Sequence, residues 1–372
     1  MQSHKPFFRA ETVGSLLRPA YLIEARAKFK SGEIDAAALR AVEDEAIAEA
    51  VALQERVGLK VVTDGEFRRE NWWIDFISRI DGTRIEAGGG TGFTHGSDHD
   101  FKYVPLTVVT ERPLRRPSDI LAPDYMALRR CTSCAAKVTM PSPSRMHFHG
   151  GRSVVSKEAY PDIEAFFADV GRIWREEIAA LEAAGCRYIQ IDDPLLTYFI
   201  SDAMRGEITA AGDVPEARLV RYVALVNDCT RDRRADTRVG IHLCRGNSRS
   251  GWITEGGYAR IAEATLAGLD ADTFFLEYDD ARSGDFEPLR YVPKHRVVVL
   301  GLVTTKFPEL ESKSVLKRRI DEAATHVDGD RLAISPQCGF ASTVEGNLIT
   351  PAVQEAKLRL VVETAREVWG AA

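Results

Sequence analysis

The chain has 372 residues, 45% of them hydrophobic and 28% charged, with a formal net charge of -6. That length suits one α/β barrel with an insertion, and the composition is that of a soluble globular enzyme, not a disordered or fibrous chain. The negative balance gives no electrostatic reason to expect nucleic acid, and no apolar run nears the roughly 20 residues that span a bilayer.

The opening residues, MQSHKPFFRAE, hold no hydrophobic signal core, so a cytoplasmic home is expected. Six cysteines in this length indicate a reducing compartment with free or metal-bound thiols rather than a disulfide framework. Short β-rich runs are then predicted at 8–13, 59–63, 136–140, 188–191, 239–243, 273–276, 297–302 and 332–335. Helical periodicity fills the intervals, at 36–57, 162–184, 215–233, 258–267, 314–324 and 352–369. Pro161-Asp162 opens one of these helices and Gly185 follows its end, as start and stop signals should.

Eight strands alternating with helices predict an α/β fold, a TIM (β/α)8 barrel spanning 1–372 as a single catalytic domain. Residues 78–134, between strands 2 and 3, break the rhythm. They carry the Gly88-Gly89-Gly90 triplet, several prolines and one alternating run at 103–109, and are predicted to form an insertion, either a lid or a hairpin. The basic cluster Arg112, Arg115, Arg116, Arg129 and Arg130 is short and interrupted by proline, which favours a solvated loop over a contact with an anion.

Barrel enzymes carry their chemistry on the loops after the C-terminal strand ends. Here those positions read Gly14-Ser15, Asp64-Gly65-Glu66, Pro141-Ser142-Pro143, Asp192-Asp193, His242 with Cys244, Glu277, 304–306, and Gln337-Cys338. A bland scaffold has no need of that concentration of polar and reactive groups. His242 and Cys244, two apart on one strand, point to the same face. Glu277 and Cys338 end other strands at the same barrel mouth, and imidazole, thiolate and carboxylate make a suitable tetrahedral set for zinc. Singly, each residue reads as core filler or a solvated acid; their joint placement favours the metal. Cys131 and Cys134 have the spacing of half a zinc knuckle or of a redox pair, but no close second pair completes them unless His147 and His149 serve.

With these residues in view, the chain resembles the cobalamin-independent methionine synthases, in their C-terminal catalytic barrel and the shorter single-barrel relatives of methionine synthase II type. The wording His242-Leu-Cys-Arg-Gly-Asn247, Leu276-Glu-Tyr-Asp-Asp280 and Pro336-Gln-Cys-Gly339 carries the likeness, which runs from Thr12 to Cys338. The family's zinc ligands fall on His242, Cys244, Glu277 and Cys338. Its carboxylate-holding first-strand motif falls on Val13-Gly14-Ser15, so Gly14 and Ser15 are implied substrate contacts. Its two acids for the homocysteine amine fall on Glu66 and, within Gln190-Ile191-Asp192-Asp193-Pro194, on Asp192.

The chain departs from the family at three points. It has no second, N-terminal barrel. Pro141-Ser142-Pro143 stands where the family stacks a tryptophan on its folate, and Trp72 and Trp73 are either a substitute wall for the donor or ordinary core and lid residues. The family's acid histidine is absent after the seventh strand, where Lys306 falls instead.

The resemblance implies a zinc-dependent S-methyltransferase in methionine biosynthesis, with a small-molecule thiol, homocysteine or an analogue, as acceptor and a methyl-tetrahydrofolate as possible donor. A free thiol near pKa 8.5 is a poor nucleophile until ionised. Bound to zinc, with Glu277 as the displaceable ligand, it is expected to attack the methyl carbon. Two cysteinates keep such a zinc a weak Lewis acid, which suits a nucleophilic sulfur better than water activation. A departing donor nitrogen needs a proton, for which Asp193, His147, His149 and Lys306 are the candidates. The alternatives are zinc-dependent alkyl transfer to another thiol, as in the similar epoxyalkane to coenzyme M transferases, a non-catalytic methionine or pterin binder, and a decarboxylase on a related barrel. The sequence leaves the oligomeric state open.

Overall fold

Parallel strands covered by helices outside and by side chains inside read as continuous apolar runs, and such runs form the framework here. The computed structural model describes residues 8–88 and 106–372. Its strands are β1 (Val61–Val62), β2 (Asp81–Ala87), β3 (Leu106–Arg115), β4 (Ala135–Ala136), β5 (Val138–Pro141), β6 (Tyr188–Asp192), β7 (Arg238–Leu243), β8 (Thr273–Glu277), β9 (Val297–Val303) and β10 (Leu332–Pro336).

Six of them form one parallel sheet in the order β10-β9-β8-β7-β6-β5. β4 extends β5 backwards across Lys137, whose N–H bonds the Val62 carbonyl at 2.9 Å, and β4 pairs in parallel with β1. At the other edge Ala10 bridges Ile334, with Glu11 N–H donating to the Ile334 carbonyl at 2.9 Å. The circuit closes where Leu16 N–H meets the Gly65 carbonyl at 3.0 Å and the Thr63 hydroxyl meets the Gly14 carbonyl at 2.6 Å. This is the strand order of a (β/α)8 barrel, the expected fold.

Inside the ring, Val61, Tyr188, Phe275, Val297, Val299 and Ala333 form a small apolar cluster of their own. Outside, the helices Ala36–Val57, Ile163–Ala183, Pro215–Thr230, Lys313–Ala324 and Pro351–Trp369 close the main core against the strands. Asp35, Asp162, Ser312 and Thr350 cap four of these through side-chain oxygens. Among the described residues no helix is long and apolar enough to cross a membrane.

Three expectations need correction. The run 8–13 makes only an isolated bridge, because inside the barrel the Thr12 and Val13 carbonyls are taken by Lys137 and Gln190 side chains instead of a neighbouring strand. The expected helix 258–267 breaks into a 3-10 turn, Tyr258–Arg260, and a short helix, Ala262–Thr265, because the Tyr258 carbonyl takes the Ile261 N–H at 2.9 Å in the tighter i to i+3 pattern. Helices Ala20–Ser31, Ala122–Cys131, Pro194–Tyr198 and Asp202–Ala210 were not foreseen.

Within 78–134, β2 and β3 pair antiparallel from Ala87↔Leu106 to Thr83↔Thr110. The buried Glu177 carboxylate then accepts the N–H groups of Ile120 and Leu121 and the Arg116 guanidinium, tying the exit of this hairpin to the helix Ile163–Ala183. Gly89, Gly90 and residues 103–105 lie outside the described residues.

Candidate active site

The strand ends converge as a barrel requires. His242 lies on β7 in register with Asp192 of β6 and Phe275 of β8, Cys244 follows two residues on, and Cys338 stands two residues past β10. Their ligand atoms all lie within 4.8 Å of one another and all three residues are buried. A tetrahedral zinc with nitrogen and sulfur ligands wants donors about 3.5–3.8 Å apart, so a contraction of about 1.3 Å or less would bring these three into range.

Both ring nitrogens of His242 and Oε1 of Glu277 are buried without a hydrogen-bond partner. Orphaned buried polar atoms are rare and costly, and a cation would satisfy one nitrogen of the imidazole together with the Glu277 oxygen. Glu277 ends β8 and is fully buried, outside the close trio. Its Oε2 accepts the Arg245 N–H at 2.9 Å, while an Arg282 nitrogen sits 3.0 Å from Oε1 without aiming a hydrogen at it. Burial pushes the Glu277 carboxyl up, but Lys306, Arg282 and Arg245 overcome this and hold it below the usual range.

The two thiols polarise each other. A hydrogen bond from Cys244, helped by His242 and opposed by burial, holds Cys338 well below the usual thiol range. The same bond together with burial raises Cys244. Burial pulls His242 down, yet the Cys338 sulfur, Asp192 and Glu277 raise it overall. The pair thus favours ionisation at Cys338 over Cys244, which suits a soft cation.

Buried polar side chains fix the ligand-bearing ends. Tyr258 donates to the Leu243 carbonyl at 2.6 Å and accepts the Glu277 N–H at 2.9 Å, so one hydroxyl spaces the ends of β7 and β8. Arg245 NH1 reaches the same hydroxyl at 3.2 Å and the Glu277 carbonyl at 3.0 Å. Asn247 Nδ2 donates to the Gly339 carbonyl at 2.7 Å, and its Oδ1 accepts Lys306 Nζ at 3.0 Å and Asn347 Nδ2 at 2.9 Å. These links join the loops after β7, β9 and β10. Sequence reading gave Tyr258 and Asn347 no role; only Asn247, in the run after Cys244, carried a signal.

Beside the trio opens a cleft of about 830 Å³, counting its mouth. Ser15, Glu66 and Asp192 line it together with His242, Cys244 and Cys338. Glu66 takes a left-handed backbone (φ 61°) held by its N–H on Asp64 Oδ1 at 2.8 Å. Its Oε1 accepts the Thr139 hydroxyl at 2.8 Å, while Oε2 is buried and unpartnered. Gly14 has φ 153°, and a Cβ there would lie 2.7 Å from Thr139 Cγ2 and 3.0 Å from Glu66 Oε1, so only glycine fits. Burial raises both Glu66 and Asp192, the latter to about 7; Glu66 adds to the rise at Asp192, and Asp64 to that at Glu66. A cation in the cleft would favour the ionised form of both.

Trp72, Trp73, Leu106, Arg145, His149, Tyr198 and Ile253 also line the cleft. The Arg145 guanidinium lies over the Trp73 ring at 3.9 Å. Of the four candidate acids, His149 alone lines the cleft, and burial with nearby Arg145 lowers it to about 3, leaving a neutral imidazole. His147 bonds Tyr222 at 2.9 Å and packs against Phe167, away from the cleft. Asp193 is sequestered beneath it by Ser142, Ser144 and the Leu196 N–H. Lys306 is buried on Asn247. Cys131 and Cys134 flank the N-terminal end of β4, at the far end of the barrel, bonding the carbonyls of Ala127 and Leu59.

Residues 8–367 match the family model of the cobalamin-independent synthase catalytic domain. The chain is 43% identical over 371 residues to YxjH of Bacillus subtilis (strain 168), whose activity is uncharacterized, covering 99% of this chain and 96% of that one. A solved Listeria monocytogenes structure, assigned to the vitamin-B12-independent methionine synthases, superposes with a TM-score of 0.78 at 33% identity over 98% of both chains. The 5-methyltetrahydropteroyltriglutamate–homocysteine methyltransferase of Thermosynechococcus vestitus is 24% identical over 342 residues; these make up 91% of this chain but 41% of that protein.

Proposed function

The chain belongs to the cobalamin-independent methionine synthase family, and from that premise we propose that it transfers a methyl group from a methyl-tetrahydrofolate-type donor to the sulfur of homocysteine or a close analogue, giving methionine. One observation carries the reading: a His/Cys/Cys donor trio opens into the same cleft as two buried acids, one with an oxygen left unpaired. A thiol that also bears an ammonium is the ligand that answers both halves.

His242, Cys244 and Cys338 would hold zinc, with Glu277 Oε1 as a further donor. When bound, the ion favours the ionised form of a thiol at neutral pH. The protein does the rest. Glu66 and Asp192 receive the ammonium of the acceptor, as a charge-assisted pair. The Ser15 region, held against the eighth strand's loop by Phe340 N–H on the Ser15 carbonyl at 2.9 Å, receives its carboxylate. In the transfer the thiol gives up its proton, the donor's N–CH3 bond breaks as the S–CH3 bond forms, and the nitrogen keeps the electron pair and takes one proton. Trp72, Trp73 and the Arg145 guanidinium form the wall against which a flat donor would lie. His149 stands there too, as a neutral relay for that proton.

A thiol carrying a sulfonate in place of an amine, as the epoxide-opening alternative requires, would bring an anion towards two acids, which argues against it. The test is methionine formation by purified zinc-supplemented protein from homocysteine with a panel of methyl donors. We expect product with at least one donor, loss on chelation and recovery on adding zinc; no methionine across the panel would remove the assignment.

A further inference from the structure

Beneath Asp192, inside the barrel, lies a lysine whose ammonium is wholly buried. Lys137 Nζ donates to Gln190 Oε1 at 2.8 Å, to Glu11 Oε2 at 3.3 Å and to the Thr12 carbonyl, while the Phe275 ring lies 4.3 Å away on another side. An ammonium has three hydrogens, and all three are used. That fixes the Gln190 amide: its oxygen faces the cation, so its NH2 must face the other way. It donates to Asp192 Oδ1 at 2.8 Å and to the Val13 carbonyl at 2.6 Å.

We infer that Lys137 is a positioning residue for amino-acid binding, acting through the Gln190 amide to orient Asp192 and to tie it to the segment that carries Gly14 and Ser15. The inference rests on the reading that Glu66 and Asp192 receive the acceptor's ammonium. Gln190 occupies one Asp192 oxygen and leaves the other for the cleft. It also spans from β6 to residue 13, so the amine and carboxylate ends of the site share one support. Without the lysine the amide oxygen loses its donor, and only the Asp192 and Val13 acceptors remain to hold the side chain in place.

The experiment compares homocysteine with 4-mercaptobutanoate, which keeps the thiol and carboxylate and lacks the amine. Binding of each to zinc-loaded protein is measured by calorimetry for wild type, Lys137→Met, Gln190→Met, the double variant and Asp192→Asn, with thermal melts to confirm folding. We expect Lys137→Met and Gln190→Met each to weaken homocysteine roughly tenfold to a hundredfold, the range for a lost hydrogen bond to a charged group. Binding of 4-mercaptobutanoate should change less than about threefold, and the double variant should be no worse than either single one, because both remove one device.

If Asp192→Asn fails to separate the two ligands, the ammonium assignment falls. If it separates them while Gln190→Met weakens both alike, or neither, the positioning role falls. Gln190→Met, uncharged and of similar volume, decides alone should the loss of the buried lysine prevent folding.

Discussion

Replacing Tyr258 by phenylalanine removes one oxygen atom and disconnects two strand ends. The hydroxyl donates to the Leu243 carbonyl at 2.6 Å, accepts the Glu277 N–H at 2.9 Å and meets Arg245 NH1 at 3.2 Å, all in a fully buried setting. Phenylalanine leaves a carbonyl and an N–H without their partner. At roughly 1–3 kcal/mol for each buried group so stranded, the loss is about 2–6 kcal/mol, a large part of the stability of an ordinary domain. These two groups sit beside the proposed ligands, so zinc affinity should fall too, by about tenfold to a hundredfold, as when a supporting partner of a metal ligand is lost. Urea unfolding gives the first quantity and competition with a chromophoric chelator the second. Tyr278→Phe is the control: its ring packs 5.4 Å from that of Tyr258, but its hydroxyl is buried without a partner, so its removal should cost nothing. A Tyr258→Phe protein with the wild-type urea midpoint and zinc affinity would refute the argument that this hydroxyl spaces β7 and β8.

Gly339→Ala would put a Cβ 1.9 Å from Ser15 Oγ and 3.2 Å from Ser15 N, so the Ser15 loop must move; we expect about 1–3 kcal/mol of destabilisation by thermal melt and weaker homocysteine binding, with stability partly restored by Ser15→Gly in the same chain. His147 is lowered to about 3 by burial and by Arg218, below its unfolded value near 6.5. Protonation therefore favours the unfolded chain: the contribution is complete above pH 6.5 and is lost as pH falls towards 3. His147→Asn should flatten the acid decline of stability by about 2 kcal/mol between pH 6.5 and 5, and parallel denaturation curves for the two proteins over that range would exclude it.

The barrel was legible because its strands, buried on both faces, leave unmistakable apolar runs such as 297–302 and 273–276. The first strand misled for the same reason turned round: 8–13 has the composition of a strand, but its backbone is satisfied by side chains from other strands, which no local pattern reveals. Strand ends could be read to within a residue or two, so every proposed ligand could be placed at the mouth. Orientation could not. Asp193 and His147 stand beside productive positions in sequence, yet one faces Ser142 and Ser144 and the other Tyr222. Tyr258, Asn347 and Lys137 were illegible because their partners lie on remote loops, and only packing brings them together.

Glu66 and Asp192 in the cleft and Glu277 at the neighbouring strand end share an arrangement that bears on which ligand they take. Behind each stands a buried cation: Arg69 lies 3.8 Å from Glu66, Lys137 reaches Asp192 through Gln190, and Arg245 and Arg282 flank Glu277. Those cations lessen the cost of holding carboxylates out of water without covering the oxygens that face the cleft. A ligand that brings its own positive charge completes each pair, whereas a neutral one leaves the cleft-facing oxygens desolvated and unpaired. The same holds for Cys338, whose thiol Cys244 and His242 hold well below the usual range. Selectivity for a cation at the centre and an ammonium beside it thus follows from the cations placed behind these acids, whereas Arg145, the guanidinium that lines the cleft, is stacked on the Trp73 ring.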